Sequence, residues 1–179
     1  MKAQFFILGA LLLATLFFAG LPITGHLVRT VSDDMEQFSE NLEMEFPHAM
    51  NLANDLGDIE RLGDFSAFAD SQITQRNAEF RNLWVVTEPI GSNVNVTVGN
   101  YLDEDMTVVL NISNNIQMLL IPANAEDSVM YFGVPSQFLL RVTVPELDRE
   151  LTLQRDKINM YSFFSLSRGE DFIRKEVLA

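Results

Sequence analysis

Two short segments carry recognisable covalent chemistry. Asn95-Val96-Thr97 and Asn111-Ile112-Ser113 are N-x-[ST] sequons, the acceptor pattern for a glycan on the asparagine amide. They lie close together, and both asparagines fall at positions expected to face outward from a sheet. Together they predict glycosylation at Asn95 and Asn111 and an extracytoplasmic location for the domain that holds them. A third segment, Asp103-Glu104-Asp105, offers hard oxygen ligands of the kind that bind Ca²⁺. It lacks the D-x-D-x-D-G spacing of a specific loop, so it reads as an acidic hairpin turn.

Composition excludes most other chemistry. The chain has no cysteine, which removes disulfides, thiolate metal sites and Cys nucleophiles. His26 and His48 are the two histidines, without an H-x-x-x-H pairing. There is no G-x-S-x-G elbow and no glycine-rich phosphate loop. Carboxylate pairs occur throughout an acidic chain, so spacing alone selects none of them for acid–base work. The sequence therefore predicts no enzyme activity, no catalytic residue, no metal and no cofactor.

The elements that would carry the sequons follow from charge and periodicity. Over 179 residues, 12 Lys and Arg stand against 25 Asp and Glu, a net charge of −13. Residues 1–30 contain only Lys2 and Arg29 and no acid, leaving a balance of −15 to residues 31–179. Such asymmetry is a prior for membrane attachment. An acidic body has nothing to replace the counterions of a nucleic acid, so no nucleic-acid partner is expected. Phe5–Ile23, FFILGALLLATLFFAGLPI, has Thr15 as its one polar side chain. At ~1.5 Å per residue this run matches the ~30 Å hydrocarbon core of a bilayer. A cleaved secretory signal has a shorter apolar core of ~7–15 residues, so a permanent single span is the stronger reading. The body must then follow on the C-terminal side, and the sequons place it outside the cell.

Beyond Thr30 the apolar period becomes helical. Val31, Met35, Phe38, Leu42, Phe46, Ala49, Ala53 and Leu56 form one stripe, the pattern of an amphipathic helix. Ser32 suits its N-cap, Gly57 its stop, and Pro47 predicts a kink. A second helix is expected over Asp64–Phe80, with Asp64 capping it. From Asn82 the chain shortens into β-rich runs: Leu83–Thr87, Asn93–Val98, Thr107–Ile112, Ile116–Ile121, Ser128–Phe132, Gln137–Val144, Glu150–Gln154 and Ile158–Ser165. Turn signals separate them, including Gly99-Asn100, Asn114-Asn115 and Pro145. With no helices between them, they predict an antiparallel β-sandwich. Trp84 and the aromatics Tyr131, Phe132, Phe138, Tyr161, Phe163, Phe164 and Phe172 are read as core.

The opening Lys2-Ala3-Gln4-Phe5-Phe6-Ile7-Leu8-Gly9 resembles the N-terminus of archaeal type IV pilin-like proteins. It is more closely similar to a group of uncharacterised archaeal membrane-anchored proteins. Asn82-Leu83-Trp84-Val85-Val86-Thr87 and Val98-Gly99-Asn100-Tyr101-Leu102 resemble strands of that group. The resemblance implies cleavage by a membrane peptidase between Ala3 and Gln4 and packing of the apolar helix in a filament axis. Two features depart from the pilin pattern: Leu8 stands where many pilins carry a glutamate, and the basic leader is reduced to Lys2.

These readings give an α+β protein: an N-terminal transmembrane helix (1–30), a membrane-proximal helical region (31–81) and an antiparallel β-sandwich domain (82–179). The expected role is a structural or interaction protein at the cell surface, with a filament subunit or a monomeric anchored binding module as its two forms. The expected partners are the lipid bilayer and, in a filament, further copies of the chain. Ala10 and Ala14 would form a small-xxx-small helix-packing face, and the stripe Val31–Leu56 would extend that contact outside the membrane.

Overall fold

The structure is a computed structural model that describes residues 31–145 and 147–179, with side chains from Asp34 onward. The expectations for Phe5–Ile23, for processing at Ala3 and Gln4, and for packing through Ala10 and Ala14 lie outside what is described; Ser32, expected as an N-cap, falls instead inside the helix Val31–Leu56. Ser32–Ala179 form one compact unit. Among the described residues helices α1 (Val31–Leu56) and α2 (Arg61–Thr74) precede nine strands. These are β1 (Glu79–Ile90), β2 (Asn93–Tyr101), β3 (Met106–Ile112), β4 (Asn115–Ile121), β5 (Ala125–Tyr131), β6 (Gln137–Val144), β7 (Leu147–Gln154), β8 (Asn159–Arg168) and β9 (Asp171–Leu178).

The strands form two antiparallel sheets, one ordered β5-β2-β1-β8-β9 and the other β4-β3-β6-β7. The five-stranded sheet is the middle layer. Odd-numbered side chains of β1 and β8 and even-numbered ones of β2 point to the four-stranded sheet. There Leu83, Val85, Val96, Val98, Phe163 and Tyr131 meet Val108, Leu110, Leu140 and Val142 in the sandwich core. On the opposite face Phe80, Trp84, Val86, Met160 and Phe164 form a second core with Phe46, Leu62, Ala69 and Ile73 of the helices. Because β1 and β8 are covered on both sides, they read as near-continuous apolar runs, whereas β6 alternates strictly. The expected division between residues 81 and 82 falls inside β1.

Helix α1 ends before Gly57 as expected, begins one residue before the expected Ser32 cap, and continues through Pro47. Its buried line is Met35, Ser39, Leu42, Phe46, Met50 and Ala53, all 9% exposed or less. Phe46 packs edge-on to Phe65 at 5.0 Å between ring centroids and stacks on Phe164 at 5.7 Å, tying both helices to β8. Leu56, expected on this stripe, is 45% exposed and belongs with Met44 and Leu52 to a separate exposed line. The apolar face of α1 is therefore occupied by its own sheet.

The second helix corrects its expected bounds. It starts at Arg61 behind Glu60, which makes no side-chain cap bond, and Asp64 lies in its first turn. It stops at Thr74, where Asn77 takes a left-handed conformation at φ 56°. Phe80 belongs to β1, yet its side chain enters the same core as Ile73, which is why the helical period seemed to reach it. Strand β9 had no sequence expectation. It pairs with β8 from Tyr161↔Leu178 to Arg168↔Asp171. Arg149 of β7 donates to Glu176 of β9 through Nε at 2.7 Å and Nη2 at 2.8 Å, joining the edges of the two sheets. Of the aromatics read as core, Phe132 and Phe172 are exposed instead.

Candidate functional site

The two sequons lie on different sheets, each on the face turned away from the sandwich core. Asn95 lies on the helix-side face of β2, half-buried, with its amide donating to Glu88 Oε2 at 3.4 Å and Thr97 Oγ1 at 3.3 Å. Asn111 lies on the outer face of β3, opposite Ile116 of β4 and Arg141 of β6. Its Oδ1 is buried and makes no hydrogen bond among the described residues. It sits two residues before the tight β3–β4 turn, where Ser113 and Asn114 have φ 51° and 67°, the geometry of a two-residue hairpin.

The acids of Asp103-Glu104-Asp105 diverge. Asp103 pairs with Arg81 at 3.4 Å, Asp105 accepts from the Ala123 N–H at 3.1 Å, and the Glu104 carbonyl accepts from Asn100. Among the described residues no group of three His, Cys, Asp or Glu is placed to hold a metal ion. His48 is exposed on α1, and His26 is not among the described residues.

An open cleft of about 630 Å³ lies between the start of α2 and the β2–β5 edge. Glu60, Asp64, Asp70, Asp103 and Glu126 contribute carboxylates to its walls. At its base Tyr101 Oη donates to Glu126 Oε1 at 3.1 Å. Burial pushes the Glu126 carboxyl up to about 7, against the lowering effect of that bond, and the charges of Glu60, Asp64 and Asp58 add to the rise. Burial also raises the Tyr101 hydroxyl, with Glu126 reinforcing it. Gly63 is what lets α2 approach this pair: a Cβ there would overlap both Tyr101 Oη and Glu126 Oε1. A more open depression of about 600 Å³ lies on the four-stranded sheet beside Val109, Thr143 and Asp148. It contains no buried titratable group.

Residues 82–87 and 98–102 carry the clamps of the fold. Asn82 links three elements: Ser162 Oγ donates to Asn82 Oδ1 at 3.0 Å, and Asn82 Nδ2 donates to Ser66 Oγ at 2.9 Å. Ser66 in turn donates to the Leu62 carbonyl at 2.9 Å, so β8, β1 and α2 are connected through three fully buried side chains. These three side chains satisfy one another's hydrogen bonds within an apolar core. Gly99 lies directly opposite Trp84, and a Cβ there would collide with the indole. Asn100, fully buried, donates through Nδ2 to the carbonyls of Glu104, Ile121 and Pro122 at 2.8, 2.9 and 3.1 Å and accepts from the Leu102 N–H at 3.2 Å. One amide thereby fixes the β2–β3 turn to the end of β4.

The described residues thus define an α+β protein with two helices layered on an antiparallel two-sheet sandwich. Compared with known proteins, no family model and no curated protein matches the chain. The sequence alone assigns no role to Gly63, Tyr101 or Glu126. A glycine within a helical pattern was the available signal, since it marks a close approach.

Proposed function

We propose that the chain is a membrane-anchored extracytoplasmic protein of pilin-like build with a structural or interaction role. A single N-terminal span holds it at the cell membrane, and residues 31–179 project outward. The observation that carries this reading is the 19-residue run Phe5–Ile23, uncharged between Lys2 and Arg29, ahead of a body at −15. No helix among the described residues is long and apolar enough to cross a membrane; the length and composition of Phe5–Ile23 support a span there. The resemblance of Lys2–Gly9 to archaeal pilin-like openings supports the same assignment, as do the two sequons for the outward side. In its filament form the chain is cleaved between Ala3 and Gln4, and Ala10 and Ala14 bring neighbouring helices together.

The alternative is a monomeric anchored binding module. It is favoured by one observation: Met35, Leu42, Phe46 and Ala53 are covered by the chain's own sheet, so the α1 stripe is not free to prolong a helix bundle outside the membrane. Mass spectrometry of the native protein from a membrane fraction separates these readings. A mature N-terminus at Gln4, with glycan on Asn95 or Asn111 and fibres that shear from cells, supports the filament form. An intact Met1 on a carbonate-resistant membrane protein supports the simple anchor. A soluble product cut near residue 20 overturns anchoring altogether.

A further inference from the structure

Four strands form the edges of the two sheets: β5 and β9 in one, β4 and β7 in the other. An unprotected edge offers free N–H and C=O groups to another strand, and proteins normally guard it with charge. β5 carries Glu126 and Asp127, β7 carries Asp148, Arg149 and Glu150, and β9 carries Asp171, Arg174, Lys175 and Glu176. β4, Asn-Ile-Gln-Met-Leu-Leu-Ile, carries none. No charged residue occurs anywhere between Asp105 and Glu126.

The same strand exposes Ile116 by 59%, Met118 by 68% and Leu120 by 71%. Their backbone groups also point outward. The tight turn makes Ile112↔Asn115 the closing hydrogen-bonded pair, so Leu110↔Gln117 and Val108↔Leu119 continue that set. Ile116, Met118 and Leu120 sit at the intervening positions, with N–H and C=O directed away from β3. Pro122 ends the strand without entering it.

The geometry points to β4 as a self-pairing edge that joins two copies of this chain in antiparallel register about Met118. The occupant follows from charge. Two bodies at −15 repel over most approaches, and β4 is the one edge strand of the described sheets that carries no charge itself. The sequence is also self-complementary under a two-fold axis: Met118 faces Met118, Ile116 faces Leu120, and Gln117 faces Leu119. The three exposed side chains present roughly 400 Å² per copy, a patch of the size that monomers use functionally. Two such patches fall short of the ~1,200 Å² of a standard interface, so the pair is weak and exchanges readily.

The full chain purified in detergent tests this by cross-linking, since it has no native cysteine. Met118→Cys under mild oxidation is expected to form a disulfide dimer far faster than the edge control Phe172→Cys on β9. Met118→Lys is expected to abolish the concentration-dependent dimer that wild type shows in sedimentation, with an unchanged circular dichroism spectrum. Equal cross-linking of Met118→Cys and Phe172→Cys overturns the proposal. So does a monomeric Met118→Cys variant whose thiol is shielded from thiol reagents, which would mean that the edge is covered within one copy. Dimerisation that survives Met118→Lys, as contact through Phe5–Ile23 alone would give, overturns it as well.

Discussion

Tyr101 and Glu126 meet across the β2–β5 edge through a 3.1 Å hydrogen bond, directly beneath Gly63 of α2. The contact places a carboxyl group where it is half-desolvated and surrounded by Glu60, Asp64 and Asp58. Its ionisation is therefore coupled to the seating of α2 on the sheet, which gives the first prediction.

The Glu126 carboxyl is raised from an ordinary 4.5 to about 7 in the folded protein. Folding thus favours its protonated form. The stability it contributes is full below the unfolded value and is lost as pH rises through about 7. Between pH 8 and pH 5 the melting temperature of wild type is expected to rise, and Glu126→Gln is expected to flatten that rise while keeping an acceptor for Tyr101. Differential scanning calorimetry at the two pH values checks this. A slope that is unchanged in Glu126→Gln would assign the effect to other groups.

Gly99 gives the second prediction. Its missing Cβ is the space that the Trp84 indole fills, and Trp84 is fully buried. Gly99→Ala is expected to destabilise by about 1–3 kcal/mol through overpacking. The urea midpoint reads this directly, and emission from the chain's single tryptophan should shift with the displaced ring. Gly91→Ala, on an open turn, is strained only by its φ of +64° and should leave the emission unchanged.

Much of this architecture is legible in the sequence, and the exceptions have physical causes. The α1 stripe and eight strands follow from apolar period and turn residues because those signals are local. Strand β9 escapes because it is an edge strand with only Val177 buried. Its charged alternation, Asp171 to Glu176, looks like a solvated loop. The end of α2 escapes because Phe80 satisfies the same core from the following strand. The Tyr101–Glu126 pair brings together residues 25 apart in sequence, under a helix from a third segment. No local motif encodes such a meeting. The sequons could be read as patterns, but the covered Oδ1 of Asn111 could not.

The buried Asn100 clamp predicts an order among substitutions. Asn100→Ala leaves the Ile121 carbonyl and its neighbours without their donor, a loss of about 1–3 kcal/mol for a buried polar group left unpaired. Asn100→Asp is the more damaging change, because a carboxylate would face three carbonyl oxygens with no proton to give unless it is itself protonated. Chemical denaturation at pH 7 should rank wild type above Asn100→Ala and Asn100→Asp last. If Asn100→Asp is as stable as wild type, the three carbonyls do not depend on that amide.

Helix α1 supplies the last test, because its two apolar lines differ in what they touch. Phe46 is fully buried against Phe65 and Phe164, and Phe46→Ala is expected to cost about 3–5 kcal/mol. Leu52 and Leu56 are about half exposed on the other line, and Leu56→Ala should stay within about 0.5 kcal/mol of wild type. Equilibrium unfolding of the two variants measures both. A near-neutral Phe46→Ala would mean that α1 does not rest on the five-stranded sheet in solution. Its stripe would then be free for contact with other chains, and the balance would return to the filament form. A large loss at Phe46 with none at Leu56 keeps the stripe inside the molecule, and self-association must then use other surfaces.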